Sequence, residues 1–254
     1  MLTKLLIVCP LIFLAGFIDS IAGGGGLISL PGYLIAGLPP INAIATNKLS
    51  SCTGTVVTLA RFSKEGCVPW RDAVVGIPFG FIGSWIGTRI ALSIDDAKFK
   101  LILLIILPLT AAYVLLSRGL KNAESTDIQP LEATKLRLFI ALISLVIGVY
   151  DGFYGPGAGT FLLLLLNGLA RLPVRKAAGL GKAINFTTNL TAMVSYLVSG
   201  KTLFAIGIPA AICSIIGNWF GSRCFLKNGT RIVKPVMLCV LGIFFIKTIV
   251  EIVG

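Results

Sequence analysis

A chain of 254 residues that is 56% hydrophobic and 13% charged, with a mean hydropathy of +0.96, carries more apolar surface than a soluble fold can hide. Its net charge of +12 would suit nucleic acid in a soluble domain, but the 22 lysines and arginines fall mainly in short loops between apolar runs, where no exposed basic face can form. There is no histidine, and the six cysteines (9, 52, 67, 213, 224 and 239) form no Cys-x-x-Cys pair, so no zinc site, cofactor or histidine catalysis is expected and the cysteines read as small reduced hydrophobes.

The apolar runs at residues 5–22, 73–92, 99–117, 137–150, 203–222 and 235–253 mostly approach the length that ~30 Å of hydrocarbon demands of a helix. The expected class is all-α, a polytopic transmembrane bundle in the plasma membrane (the inner membrane of a bacterium). In chain order, the first run carries Gly16-Phe17-Ile18-Asp19-Ser20-Ile21-Ala22 and then four glycines, 23 to 26. Each glycine costs about 1 kcal/mol relative to alanine in a helix interior, so the helix should break there. The next apolar piece, Leu27 to Leu38, would reach only ~18 Å as a helix, short of a full span. Gly37-Leu38-Pro39-Pro40 closes it.

Ala43 to Phe62 is polar for a membrane segment, carrying Thr46, Asn47, Lys48, Ser50, Ser51, Thr53, Thr55 and Thr58. Such groups face a bundle interior or a cavity. A basic loop, two ordinary spans and a linker at 118–136 complete the first half. The second half replays the order. Gly148-Val149-Tyr150-Asp151-Gly152-Phe153-Tyr154-Gly155-Pro156-Gly157 repeats the first glycine motif at an offset of 132, and Phe161 to Ala170 matches the short piece. Ala177 to Ser199 carries Lys182, Asn185, Thr187, Thr188, Asn189 and Thr191. Gly83-Ser84-Trp85-Ile86-Gly87-Thr88-Arg89 returns as Gly217-Asn218-Trp219-Phe220-Gly221-Ser222-Arg223, 134 residues on, which makes Lys48 and Lys182 equivalent. Glycines four apart in this motif suit close helix packing. The first run follows Lys4 as a secretory leader would, yet its equivalent, Leu138 to Tyr150, lies mid-chain, so the first segment reads as retained.

The bundle is therefore read as two homologous repeats, 1–117 and 137–254, with Gly-broken short helices. If each short piece returns as a hairpin, one side of the membrane holds 14 loop cations and the other 5; if it continues as a broken helix, the split is 9 against 10. The positive-inside rule selects the first, which inverts the halves, leaves both termini extracytoplasmic and puts 118–136 in the cytoplasm.

Paired glycine tips from opposite faces suit a transport site near the midplane. A broken helix exposes backbone N–H groups and the positive end of a dipole, which stabilise anions. Candidate substrate-binding groups are Gly24, Gly25 and Gly157 at the tips, Lys48 and Lys182 as full charges, and Asn47, Ser51, Thr55, Asn185 and Asn189 as hydrogen-bonding side chains. Each lysine has a rival role in an ion pair with Asp19 or Asp151, or in snorkelling. Each aspartate is a candidate proton carrier, an ion-pair partner, or a cap on the helix that follows it, and whether Asp19 carries a proton or holds Lys48 stays open. No Gly-Lys-Ser/Thr follows Gly23 to Gly26, which disfavours a nucleotide loop. An intramembrane aspartyl protease is the distant rival: Tyr150-Asp151 matches half of its signature, but no Gly-x-Gly-Asp is present. A passive anion channel is the closer rival. Expected partners are a small anionic substrate, protons as candidate coupling ions and the lipid bilayer, without nucleic acid; a homo-oligomer is compatible with such a chain.

The Asp-Ser-Ile-Ala-Gly-Gly-Gly-Gly stretch, Ala45-Thr46-Asn47-Lys48 after the Pro-Pro turn, the Gly66-x-Val68-x-Trp70 turn and the repeated G-x-W-x-G-[ST]-R together resemble the sulfite exporter TauE/SafE family of membrane permeases, over nearly the whole chain. The resemblance implies a non-enzymatic permease for sulfite, organosulfonates, related sulfur-containing acids or other small organic anions. It places Asn47 and Lys48 in the family's signature element. The second half reads Gly179-Leu180-Gly181-Lys182 there, without Thr-Asn, so an asymmetric site is expected.

Overall fold

The computed structural model describes residues 1–95, 98, 131–228 and 232. The expected spans at 99–117 and 235–253 and the linker up to residue 130 lie outside the described residues. Within them are eight helices and no strand: α1 (Leu2–Ala22), α2 (Gly26–Ile35), α3 (Pro40–Lys64), α4 (Trp70–Leu92), α5 (Ala133–Phe153), α6 (Ala158–Gly168), α7 (Val174–Val198) and α8 (Phe204–Asn228). Long, short, long, long occurs twice.

The glycines break the chain where their backbone demands it. Gly23 ends α1 at φ 78°, its N–H bonding back to the Asp19 carbonyl at 2.9 Å, while Gly155 and Gly157, at φ 101° and 84°, separate α5 from α6. These left-handed values exclude most L side chains at little cost to glycine. After the first break α2 folds back along α1: Gly25 packs on Ala15 and Asp19, Gly32 on Leu11, and Gly37 approaches Lys4.

α1, α4, α5 and α8 are long and apolar enough to cross a membrane. They expose bulky apolar side chains such as Phe81, Leu142, Ile212 and Phe220, as a lipid-facing surface requires. α3 and α7 are too polar for that surface and lie against each other inside the bundle, with Thr46, Asn47, Lys48, Ser50, Thr55 and Thr58 buried on one and Lys182, Asn185, Thr188 and Asn189 on the other. Among the described residues, α4 packs on α5 and α7, and α8 packs on α1 and α3, the first and third helices of the opposite half.

The repeated glycines make those contacts possible. A Cβ on Gly83 or Gly87 would lie 2.3 or 2.0 Å from the Leu145 or Val149 carbonyl oxygen of α5; one on Gly217 or Gly221 would lie 2.2 or 2.1 Å from that of Phe13 or Phe17 of α1. Backbone meets backbone, as at small-residue membrane interfaces. Gly87→Ala is expected to destabilise by about 1–3 kcal/mol, the usual range for overpacking, whereas Gly168→Ala, with no atom near its added methyl, leaves thermal unfolding in detergent nearly unchanged.

Candidate functional site

The two glycine breaks abut. Gly23 packs on Gly159, Gly26 on Pro156, and Thr160 Oγ1 donates to the Ala22 carbonyl at 2.9 Å. Neither short helix has a side-chain N-cap, so the aspartates do not serve as caps; the backbone carbonyls of Gly24, Gly25 and Gly155 take the amides of Leu27, Ile28 and Ala158.

Beside this junction lie two ion pairs, and both cross between the halves. Lys48 Nζ on α3 meets Asp151 Oδ1 on α5 at 2.7 Å, and Lys182 Nζ on α7 meets Asp19 Oδ2 on α1 at 2.6 Å. Asp19 thus holds Lys182, and Lys48 is held by the aspartate of the other half. Crossing keeps each cation neutralised in a medium where an unpaired charge is expensive, and ties α3 and α7 to the broken helices.

The pairs differ in their surroundings. Lys48 also donates to Asn189 Oδ1 at 3.1 Å; Asp151 Oδ2 accepts from Asn185 Nδ2 at 3.4 Å and from Thr188 Oγ1; and Gly155 closes over both charges, an added Cβ lying 2.9 Å from Lys48 Nζ. Both side chains are 2% exposed. The other pair is looser, at 6% for Lys182 and 17% for Asp19, with each other as their one polar side-chain partner among the described residues. The residues that follow the two lysines differ accordingly. The positions equivalent to Asn185, Thr188 and Asn189 are Ser51, Gly54 and Thr55. Ser51 instead donates to Asn47 Oδ1 at 3.4 Å, Gly54 has no side chain, and the buried Thr55 hydroxyl has no partner among the described residues.

The space above Gly54 is taken from α8. Asn218 Nδ2 and Ser214 Oγ would each lie 2.3 Å from a Cβ there, and Asn218 Oδ1 accepts from Thr58 Oγ1 at 2.8 Å. A cavity of about 20 Å³ borders Asp19, Gly25, Gly26, Ser29, Ser50, Ser51, Ser214 and Asn218. One of about 10 Å³ borders Lys182, Gly23, Gly159 and Gly181. Neither of these two cavities holds more than about one water. A groove of about 510 Å³ between α4 and α7 is lined largely by apolar groups, among them Phe81, Trp85, Leu190 and Val194, and touches neither pair.

Of the residues selected from sequence, Lys48, Asp151, Asn185 and Asn189 form one cluster, and Asp19, Lys182, Gly25 and Ser51 lie at or beside the other. Gly24 lies two residues before α2 and Gly157 is the N-cap of α6, their carbonyls accepting from Leu27 N and Phe161 N at 3.1 and 2.9 Å. Asn47 is buried, and its side chain accepts from Ser51 Oγ rather than joining either ion pair among the described residues. Thr188, Ser29, Ser214 and Asn218 were missed as site residues. Ser84 stands at the position equivalent to Asn218, and that mismatch inside an otherwise repeated motif was the available signal.

The family model described as sulfite exporter TauE/SafE matches residues 8–248. The chain is 34% identical to a probable membrane transporter protein of Haemophilus influenzae over 89% of this chain and 87% of that one. It is 31% identical to the probable membrane transporter protein YfcA of Escherichia coli K12 over 94% and 87%, and 34% identical to a probable membrane transporter protein of Sinorhizobium over 90% and 85%. No solved structure matches significantly.

Proposed function

The chain belongs to the sulfite exporter TauE/SafE family, and we propose that it is a plasma-membrane carrier of small anions, sulfite, organosulfonates or related organic acids, working by secondary-active transport. The observation that carries this reading is the pair of crossed Lys–Asp contacts beside two abutting helix starts that lack side-chain caps. Anions favour such helix starts, and a lysine already balanced by a carboxylate can exchange that partner for a substrate anion without a bare charge forming. Standing neutralisation of both lysines favours a carrier over an open anion pore, whose charged rings would be free to meet permeating ions.

In this reading residues 1–117 and 137–254 are inverted repeats around the site, with the linker at 118–136 in the cytoplasm and both termini outside. The fold-back of α2 along α1 and the bias of loop cations support it. An impermeant thiol reagent is expected not to label a cysteine placed in the linker from outside; labelling from that side sinks this topology.

Thermal unfolding of the purified protein against sulfite, thiosulfate, methanesulfonate and acetate tests the substrate class. Saturating amounts of a transported anion, about 100 times its Kd, should stabilise by about 2.7 kcal/mol. No shift with any of the four would overturn the reading.

A further inference from the structure

We propose that Asp19 and the cavity it borders take one small monovalent cation each time Lys182 takes an anion, so that the two bind together; this deepens the carrier reading and rests on it. Three observations converge on this pair rather than on Lys48–Asp151. Asp19 is the less enclosed carboxylate, and Lys182 is its one side-chain partner among the described residues, whereas Asp151 is held by a lysine, an asparagine and a threonine. The cavity beside Asp19, about 20 Å³, has room for one water-sized particle. Its wall includes the hydroxyl of Ser29, which is 3% exposed and has no hydrogen-bond partner among the described residues. An oxygen with no partner beside a carboxylate is suited to a dehydrated cation or to a protonated water.

Charge balance supplies the coupling. With the pair closed, Lys182 and Asp19 cancel. An anion that takes Lys182 alone strands Asp19; a cation that takes Asp19 alone strands Lys182. Both together leave the site neutral again, and a neutral site is the form the membrane interior tolerates. The exchange is therefore one cation per monovalent anion, and the prevailing gradients set its direction. Lys182, from α7, is the charged group facing Asp19; α2, α3 and α8 present Ser29, Ser50, Ser51, Ser214 and Asn218 to the cavity, with Tyr33 behind Ser50 at 2.8 Å. The cation is a proton or Na⁺, which share this oxygen chemistry and separate in the test.

Methanesulfonate, a monoanion at all pH values used, is titrated into the purified full-length protein and its Kd read from thermal shifts. One series runs from pH 5.5 to 8.5 in choline; the other adds Na⁺ at fixed pH. Binding linkage is reciprocal, so affinity should fall by up to about tenfold per pH unit for a proton, or rise by up to about tenfold per tenfold increase in Na⁺. Asp19→Asn should bind the anion with no dependence on either. Ser29→Ala, a milder change, should shift the cation midpoint. Wild-type affinity flat in both series overturns the cation site and leaves the anion carrier standing. An unchanged midpoint in Ser29→Ala overturns the assignment to this cavity, and persistence of the dependence in Asp19→Asn overturns the assignment to this carboxylate. No anion response at any pH or Na⁺ concentration overturns both proposals.

Discussion

Replacing Asp151 with asparagine is expected to destabilise the folded protein by about 3–5 kcal/mol, the cost of leaving one member of a buried ion pair uncompensated. Lys48 has no other carboxylate partner among the described residues and is 1% exposed, so its ammonium loses its counter-charge. The asparagine keeps one amide oxygen where the carboxylate has two, so Lys48, Asn185 and Thr188 compete for it. Thermal unfolding in mild detergent measures the loss, and a change below about 1 kcal/mol, the scale of an exposed pair, would contradict the description of this contact as a closed structural tie. Adding Lys48→Met to Asp151→Leu should recover part of the loss, since a pair removed whole leaves no stranded charge.

Lys182→Met is expected to act on recognition instead. Anion affinity should drop about 100-fold, close to 2.8 kcal/mol at 1.4 kcal/mol per tenfold, because in the proposed exchange the substrate loses the cation that Asp19 pairs with in this structure. Folding should suffer less than in Asp151→Asn, since the stranded Asp19 is 17% exposed and borders a water-sized cavity. Methanesulfonate-induced thermal shifts read this directly; wild-type affinity in the variant would move the anion site away from Lys182.

Much of this was legible in the chain. Composition and run length established a helical membrane bundle, and the glycines of G-x-W-x-G-[ST]-R proved to pack on a neighbouring helix's backbone, α4 on α5 and α8 on α1. Helix ends were less well placed: α3 begins at Pro40 rather than Ala43 and α7 at Val174 rather than Ala177, because a proline adjoining the first turn favours helix initiation and the polar first residues hide the start. The lysine partners could not be assigned from sequence, since Asp19 and Asp151 were equally available to each lysine, and only the interlocking of α3 and α7 with the opposite half decides for the crossed arrangement. Nor could the unequal surroundings of the two pairs be read in full. Ser51, Gly54 and Thr55 opposite Asn185, Thr188 and Asn189 declare an asymmetry, but that Ser214 and Asn218 of α8 fill the space over Gly54 follows from packing between elements far apart in sequence.

The central claim is that the chain carries anions by exchanging the Asp19 partner of Lys182 in a closed site. Uptake of labelled methanesulfonate into proteoliposomes tests it most directly. Saturable flux that is accelerated by unlabelled anion inside the vesicles and lost in Lys182→Met is the expected result. Flux that rises linearly with concentration, shows no counterflow, or is unchanged in Lys182→Met would contradict it.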